Sequence, residues 1–201
     1  MYADIGKTFG PTRDEIWEQL AQEIGGNFYD GGFWLGDSKV RAQVGDWTIT
    51  LDTYKDNAGT IFTRLRAPFV NRDGFVFSVF REKSFEDHHS PGVQDLEIGR
   101  ADFDKKFVIK SNNLEEVKKL FSDEKIPKLL EKQPKVSFSA AKESGWYSKD
   151  FPDGIGELLF ETRGEIKDLA RLRELYVLFG ETLDQLCRIG AATHDDPGLV
   201  I

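Results

Sequence analysis

The sequence predicts an α+β fold in which a mainly antiparallel sheet, arranged as a β-meander, packs against a long C-terminal helix. Between residues 39 and 82 apolar and polar residues alternate, which is the period of half-buried strands. Short turn sequences separate these segments, and they indicate antiparallel neighbours because parallel strands need a crossover of about a dozen residues. Between residues 166 and 189 apolar residues recur at helical spacing instead.

The regular structure is predicted to begin with a helix that Thr12 caps. Glu15 follows at the spacing of a capping box, and Gly25 ends the helical pattern. The meander then runs from residue 39 to residue 82. Its last strand is predicted over residues 75–80, where aromatic and β-branched residues dominate. Its turns are predicted at residues 45–46, 56–59 and 71–74.

Strand character returns at residues 103–110 and 158–162, on either side of two short mid-chain helices. Asn113 can cap the first of these helices, and Pro127 is predicted to break the second. In the final helix, predicted over residues 166–189, Gly180 permits close contact with the sheet. The broad apolar face of this helix consists of Leu169, Leu172, Leu175, Tyr176, Phe179, Leu183, Leu186 and Cys187.

The chain length of 201 residues predicts a single α+β domain over residues 1–201. A helix followed by strands occurs once before residue 100 and once after it, so a two-lobed organisation about residue 100 stays open. The charge balance is acidic, with 27 Lys and Arg against 35 Asp and Glu and a net charge of −8. This balance argues against nucleic acid as a partner, since phosphate binding depends on clustered Lys and Arg.

The sequence shows no targeting or membrane segment. No basic stretch followed by an apolar run marks a secretory signal, and no apolar run approaches the roughly 20 residues of a membrane span. We therefore expect a soluble, cytoplasmic protein with no membrane partner. The single cysteine, Cys187, excludes an intramolecular disulfide and fits a reducing compartment.

Histidine and cysteine, which often carry catalysis or bind metals, are sparse, with three and one residues. His88 and His89 form the most metal-like pair, but adjacent loop residues rarely point to one ion, so we expect no metal and no cofactor. Cys187 lies on the apolar face of the last helix, which predicts a structural thiol and not a nucleophile. No serine nucleophile elbow or phosphate-binding loop is present. No catalytic constellation is visible, which favours a protein that is not an enzyme.

An acidic patch surrounds Asp102 and is formed with Asp95, Glu97 and Asp104, beside Phe103. Paired carboxylates can act as general acid and base, and this keeps a hydrolase open as a function. The commoner cause of such a pattern is a strand whose charged residues face solvent.

Aromatic residues in glycine-rich turns are the more informative feature. Phe33 and Trp34 form one pair, and Trp146 and Tyr147 form another. Loop aromatics can pin a loop to the core, line an apolar pocket or anchor a partner. We predict that Trp34 or Trp146, together with Phe33 or Tyr147, lies on a partly exposed patch or lines a groove.

Three segments carry a resemblance to a group of bacterial proteins of unknown function. They are Thr63–Phe69 followed by Gly74-Phe75, Phe103–Asn112, and Leu183–Gly190. The chain resembles that group over most of its length. The resemblance implies a bacterial protein of the group and transfers no active-site residue.

These features favour a non-enzymatic binding or interaction module whose partner is a protein or a small apolar ligand. A first alternative is a carrier that holds a small apolar ligand in a cavity between the sheet and the C-terminal helix. A second alternative is a hydrolase that uses the acidic patch around Asp102.

Overall fold

The structure, a computed structural model, describes residues 10–32, 37–81, 94–141, 151–199 and 201. It has the predicted α+β fold. The helices are α1 (Arg13–Ile24), α2 (Ala101–Asp104), α3 (Leu114–Leu120), α4 (Lys125–Glu131) and α5 (Leu169–Ile189). The strands are β1 (Asn27–Tyr29), β2 (Lys39–Val44), β3 (Trp47–Lys55), β4 (Ile61–Asn71), β5 (Phe77–Arg81), β6 (Gln94–Leu96), β7 (Phe107–Ser111), β8 (Ser137–Ala141), β9 (Ile155–Arg163) and β10 (Ala192–Thr193).

All the named strands join one sheet, and each of their pairings is antiparallel. The strand order is β1-β2-β3-β4-β9-β8-β5-β7-β6, and β10 pairs with the end of β4. The predicted meander is therefore confirmed from β2 to β4, but its last strand is displaced. The hairpin formed by β8 and β9 lies between β4 and β5. Alternation of apolar residues fixes which face of a strand is buried, and it does not specify which strand becomes the neighbour.

One face of the sheet carries all five described helices. A single apolar core joins buried residues of every helix with inward residues of the strands, among them Leu65, Phe138 and Phe160. Leu175 and Phe179 of α5 are fully buried in it. The predicted packing of the long C-terminal helix against the sheet is confirmed. Among the described residues, no helix is both long and apolar enough to cross a membrane.

The helix ends follow the predicted caps with two differences. Thr12 and Glu15 form the capping box of α1, and the Asn113 side chain accepts hydrogen bonds from two main-chain N–H groups of α3. The last helix begins at Leu169, three residues later than predicted, because the Asp168 side chain caps it. Pro127 lies in the first turn of α4, where a missing N–H costs no helical hydrogen bond, so it does not break the helix.

Two further details concern close packing and the strand predicted at residues 103–110. That segment divides into α2 and β7, with the Phe103 and Phe107 rings stacked 4.3 Å apart. The close approach predicted at Gly180 is confirmed, because a Cβ atom there would lie 2.9 Å from Cγ1 of Val44.

Candidate functional site

The sheet face turned away from the helices is lined by polar side chains, and we call it the polar face. Strand registers place Arg41, Thr50 and Arg66 side by side across three strands. A second row, two residues along, contains Asp52, Arg64 and Glu161. Glu157 and Leu159 of β9 complete the centre of the face. No described helix packs there, and Leu159 is buried without belonging to the apolar core.

A network of charges occupies the middle of the polar face. The Asp52 carboxylate, only 8% exposed as a residue, accepts hydrogen bonds from Arg64 Nε at 2.5 Å and Arg66 Nη2 at 2.7 Å. Arg66 Nη1 lies 3.9 Å from the buried carboxylate of Glu157. Burial opposes the charge of Arg64, but its hydrogen bond and attraction to Asp52 outweigh burial and raise the pKa of Arg64. Each buried carboxylate thus has a guanidinium partner, which is the condition for keeping charge under cover.

Tyr54 borders this network. Its ring stacks on Phe62 with centroids 5.2 Å apart, and the Arg64 guanidinium lies 4.9 Å above it. Burial, followed by the negative charge of Glu161, raises the pKa of the Tyr54 phenol. The hydroxyl therefore stays protonated at physiological pH and does not serve as a base.

Residues 194–199 and 201 follow β10, with His194 stacked on Trp47 and Ile201 on the polar face, and we call these residues the tail. It starts beyond β10, where the His194 ring stacks on Trp47 at 5.5 Å and His194 Nδ1 lies 2.9 Å from the Asp46 carboxylate. At its other end the main-chain oxygen of Ile201 accepts hydrogen bonds from Arg41 Nη2 at 2.6 Å and Thr50 Oγ1 at 3.0 Å. The tail thus places a main-chain acceptor on the polar face.

The row of Arg41, Thr50 and Arg66 has more donors than acceptors. The Nε atoms of both arginines are buried and have no hydrogen-bond partner. An unpaired buried donor costs about 1–3 kcal/mol, so two in one row are an unusual feature. Thr50 lies between the two arginines in the strand register, and Arg41 contacts the oxygen of Ile201, whereas the guanidinium of Arg66 donates to Asp52.

The four aromatic residues predicted as a contact surface, Phe33, Trp34, Trp146 and Tyr147, lie outside the described residues. Their role as a contact surface stays a prediction.

The other two tryptophans are buried and hydrogen-bonded. Trp17 Nε1 donates to the main-chain oxygen of Ile166 at 3.1 Å, and Trp47 Nε1 donates to the Asp184 carboxylate at 2.9 Å. Both indoles are at most 2% exposed.

The structure adds little support for the candidate metal ligands, His88 and His89, or for Cys187 as a nucleophile. His88 and His89 lie outside the described residues, and within the described ranges no group of three or more His, Cys, Asp or Glu side chains could hold a metal ion. Cys187 is partly buried against the core. Burial, followed by the nearby charges of Asp184 and Asp46, raises its pKa to about 11. It is a protonated thiol at neutral pH.

In the acidic patch around Asp102, the structure gives contacts for Asp104. Asp104 uses its two carboxylate oxygens to accept hydrogen bonds from the main-chain N–H groups of Ile98 and Gly99. Asp102 is exposed on α2. The carboxylate of Asp104 therefore stabilises a turn.

Two small surface cavities are present in the described structure. One, of about 130 Å³, lies between Arg13, Tyr54 and Glu165. The other, of about 180 Å³, lies between Asp73, Asn112 and Glu116. Both are below the roughly 300–1,000 Å³ of sites for drug-sized ligands. Neither lies between the sheet and α5, where buried aromatic and aliphatic side chains fill the interface.

The sequence reasoning missed the polar face. Its signal was the pair Arg64 and Arg66 at alternate positions of β4, opposite Asp52 in the neighbouring strand. Charged residues at the outward positions of a strand usually face solvent. Only the pairing of β3 with β4 brings Asp52, Arg64 and Arg66 together.

A comparison with solved structures supports the fold. The chain is similar to the crystal structure of the mycobacterial trehalose monomycolate transport factor A, TtfA, with a TM-score of 0.56 and 11% sequence identity. The match covers 90% of this chain and 97% of that one. At this identity the likeness is one of fold alone. Neither a protein-family model nor a curated protein matches the sequence. The bacterial origin implied by the sequence resemblance stays a prediction.

Proposed function

We propose that the protein is a non-enzymatic binding or interaction module and that the polar face of its sheet is a binding surface. The observation that carries the proposal is the contact with Ile201. Arg41 and Thr50 already hold a main-chain oxygen on this face, although no described helix lies there. The loop aromatics Phe33, Trp34, Trp146 and Tyr147 are proposed as additional contacts, and the cytoplasm as the location.

Several features of the described residues support a role without catalysis. Asp52 accepts hydrogen bonds from two guanidinium groups, so both of its carboxylate oxygens are already engaged. Cys187 is a thiol, and the Tyr54 hydroxyl is held protonated. Groups that perform general acid–base or nucleophilic catalysis need pKa values near the working pH or an activating base.

A second candidate function is carriage of a small ligand. The likeness to TtfA favours this second function, because that protein is named as a transport factor. The packed interface between the sheet and α5 does not favour an apolar ligand at that place. No described contact favours the hydrolase based on Asp102.

The proposal is tested by recovering bound molecules from the source organism with matched variants. Wild type, Arg41→Gln and Arg173→Gln are expressed there, cross-linked, purified and analysed by mass spectrometry for proteins and small molecules. Arg173 is the control because it is an exposed arginine on the outer side of α5, paired with Glu23. We expect a partner that is recovered with wild type and Arg173→Gln and at least tenfold less with Arg41→Gln.

Two outcomes would contradict the proposal. A partner recovered equally with all three proteins would place the binding surface elsewhere. A bound small apolar molecule, insensitive to Arg41→Gln, would support the carrier instead.

A further inference from the structure

The surface cavity between Arg13, Tyr54 and Glu165 is lined by charged side chains of both signs. It lies at the turn end of the hairpin formed by β3 and β4, where Lys55 pairs with Ile61, and we call it the hairpin cavity. We infer that the hairpin cavity binds a small zwitterion, a molecule with one carboxylate and one ammonium group, of the size of the smaller amino acids. The inference goes beyond the proposed function and does not depend on it.

Arg13, the first residue of α1, is held in a fixed orientation by its neighbours. Its Nε donates to Asp14 at 2.8 Å, and its Nη1 donates to Thr53 Oγ1 at 3.1 Å and to Glu165 at 3.3 Å. The guanidinium also lies 5.1 Å above the ring of Trp17, which is fully buried. Among the described hydrogen bonds, none involves Nη2 of Arg13. Nη2 is therefore a positioned donor that is available to an oxygen atom of a ligand.

Two other charged side chains of the lining have no ion-pair partner among the described residues. They are Lys55, at the end of β3, and Asp37, and both are exposed. Glu165, the second carboxylate of the lining, already binds Arg13 at 3.3 Å and Lys167 at 3.5 Å. Lys55 and Asp37 form no ion pair with each other in the described structure, although they line the same cavity. The hairpin cavity therefore separates an unpaired ammonium from an unpaired carboxylate.

The charge balance of the lining indicates the class of ligand. Arg13 and Lys55 are positive, and Asp37 and Glu165 are negative, so the formal charge of the lining is zero. The Tyr54 hydroxyl adds no charge, because burial raises its pKa. A simple anion would pair with the positive side chains alone, and a simple cation with Asp37 alone. A zwitterion pairs with both signs, which is the arrangement that electrostatic complementarity favours.

The volume restricts the ligand to small members of this class. About 130 Å³ equals the space of about four water molecules at roughly 30 Å³ each, which suits the smaller amino acids. We expect Lys55 and Nη2 of Arg13 to bind the carboxylate of the ligand and Asp37 to bind its ammonium group. Charge-assisted hydrogen bonds are about twice as strong as neutral ones, so the two ends of the ligand also determine its orientation.

The inference is tested on the full chain with L-alanine as the probe, by nuclear magnetic resonance of isoleucine methyl groups. Ile61 lines the hairpin cavity, so its signal should shift saturably, whereas the signals of Ile49 and Ile109 in the core should stay in place. For the six non-hydrogen atoms of alanine, the usual range of ligand efficiency gives a dissociation constant on the order of 1 mM. Propionate lacks the ammonium group and ethylamine lacks the carboxylate, and each should bind at least tenfold more weakly.

Variants of the lining separate the two ends of the ligand. Asp37→Asn should weaken L-alanine to the level of propionate, and Lys55→Gln should weaken it to the level of ethylamine. Both residues are exposed, so these variants should keep the fold. Arg13→Gln should resemble Lys55→Gln, with the core signals as its check on folding. Lys128→Gln is the matched control and should leave binding unchanged, since Lys128 is a 67% exposed lysine of α4 outside the lining.

Three results would overturn the inference. They are equal affinity of the wild type for L-alanine and propionate, absence of a saturable Ile61 shift well above the expected dissociation constant, and L-alanine binding that is unchanged in both Asp37→Asn and Lys55→Gln. Each is distinct from failure of the proposed function, which is judged by whether recovery of a cellular partner depends on Arg41.

Discussion

The two faces of the sheet use the same strands for opposite purposes. The face under the helices is closed by side chains such as Leu65, Phe160 and Phe179, all without exposed surface. The polar face instead carries buried charges held in pairs, with Asp52 between Arg64 and Arg66. Apolar burial adds stability in proportion to area and has no direction, whereas paired charges depend on the position of each atom. The apolar face therefore stabilises the fold through buried area, whereas the polar face depends on the position of each charged atom, which is what the proposed binding role needs.

The largest expected effect is on the apolar face. Phe179→Ala should lower the free energy of unfolding by about 3–5 kcal/mol, because it leaves a cavity in the fully buried interface between α5 and the sheet. Val177→Ala is the control on the same helix, since Val177 is 50% exposed, and it should change stability by less than about 0.5 kcal/mol. Urea denaturation measures both. A loss under about 1 kcal/mol for Phe179→Ala would mean that α5 is peripheral to the core.

A smaller effect is expected on the polar face, and the size of the stability loss depends on which charges are removed. Asp52→Asn leaves two guanidinium groups without their shared carboxylate, and breaking a buried pair in this way costs about 3 kcal/mol. The triple variant Asp52→Asn, Arg64→Gln, Arg66→Gln should lose less than the sum of its single changes, because no uncompensated charge remains. Additive losses in urea denaturation would show that the three charges act independently.

The dependence of stability on pH should distinguish a carboxylate beside arginines, such as Asp52, from a carboxylate beside another carboxylate, such as Glu116. Glu116, on the helix side, is near Asp73, and burial followed by that like charge raises the pKa of Glu116. A raised pKa means that the folded state binds the proton more tightly, so this site stabilises the fold at low pH and loses that contribution as pH rises through its folded pKa. Glu116→Gln should therefore raise the melting temperature at pH 7, and the gain should shrink toward pH 4.

The control for this effect is Glu115→Gln, an exposed neighbour in the same first turn of α3. It should not reproduce a gain that depends on pH in this way. An equal gain at pH 4 and pH 7 for Glu116→Gln would assign the effect to helix propensity and not to the proximity of Asp73.

Local signals in the sequence predicted the elements well, and the polar face shows where they stop. The capping box of Thr12, the cap at Asn113 and the close contact at Gly180 each depend on a few neighbouring residues, and each is confirmed. The insertion of β8 and β9 beside β4 depends on pairing between residues about 90 positions apart, for which alternation carries no information. The Asp52 network lies on the predicted hairpin of β3 and β4, with partners 12 and 14 positions away, and it was missed because outward charges on a strand usually face solvent. The contacts of Ile201 with Arg41 and Thr50 join residues 160 and 151 positions apart, which alternation cannot predict.

The smallest stability effect, and the test of the loop aromatics, concerns tryptophan fluorescence. Trp17 and Trp47 are buried and hydrogen-bonded through their indole N–H groups, so neither is accessible to iodide. Any quenched emission must therefore come from Trp34 or Trp146. We expect a quenchable fraction in wild type that is reduced in Trp34→Phe or Trp146→Phe, with the melting temperature within about 2 °C of wild type, because a contact residue on the surface contributes little to the fold. Trp17→Phe is the comparison, and it should lower the melting temperature without changing the quenched emission. Full protection of all four tryptophans would mean that both loop aromatics are packed inside, and the polar face would then be the sole proposed contact surface.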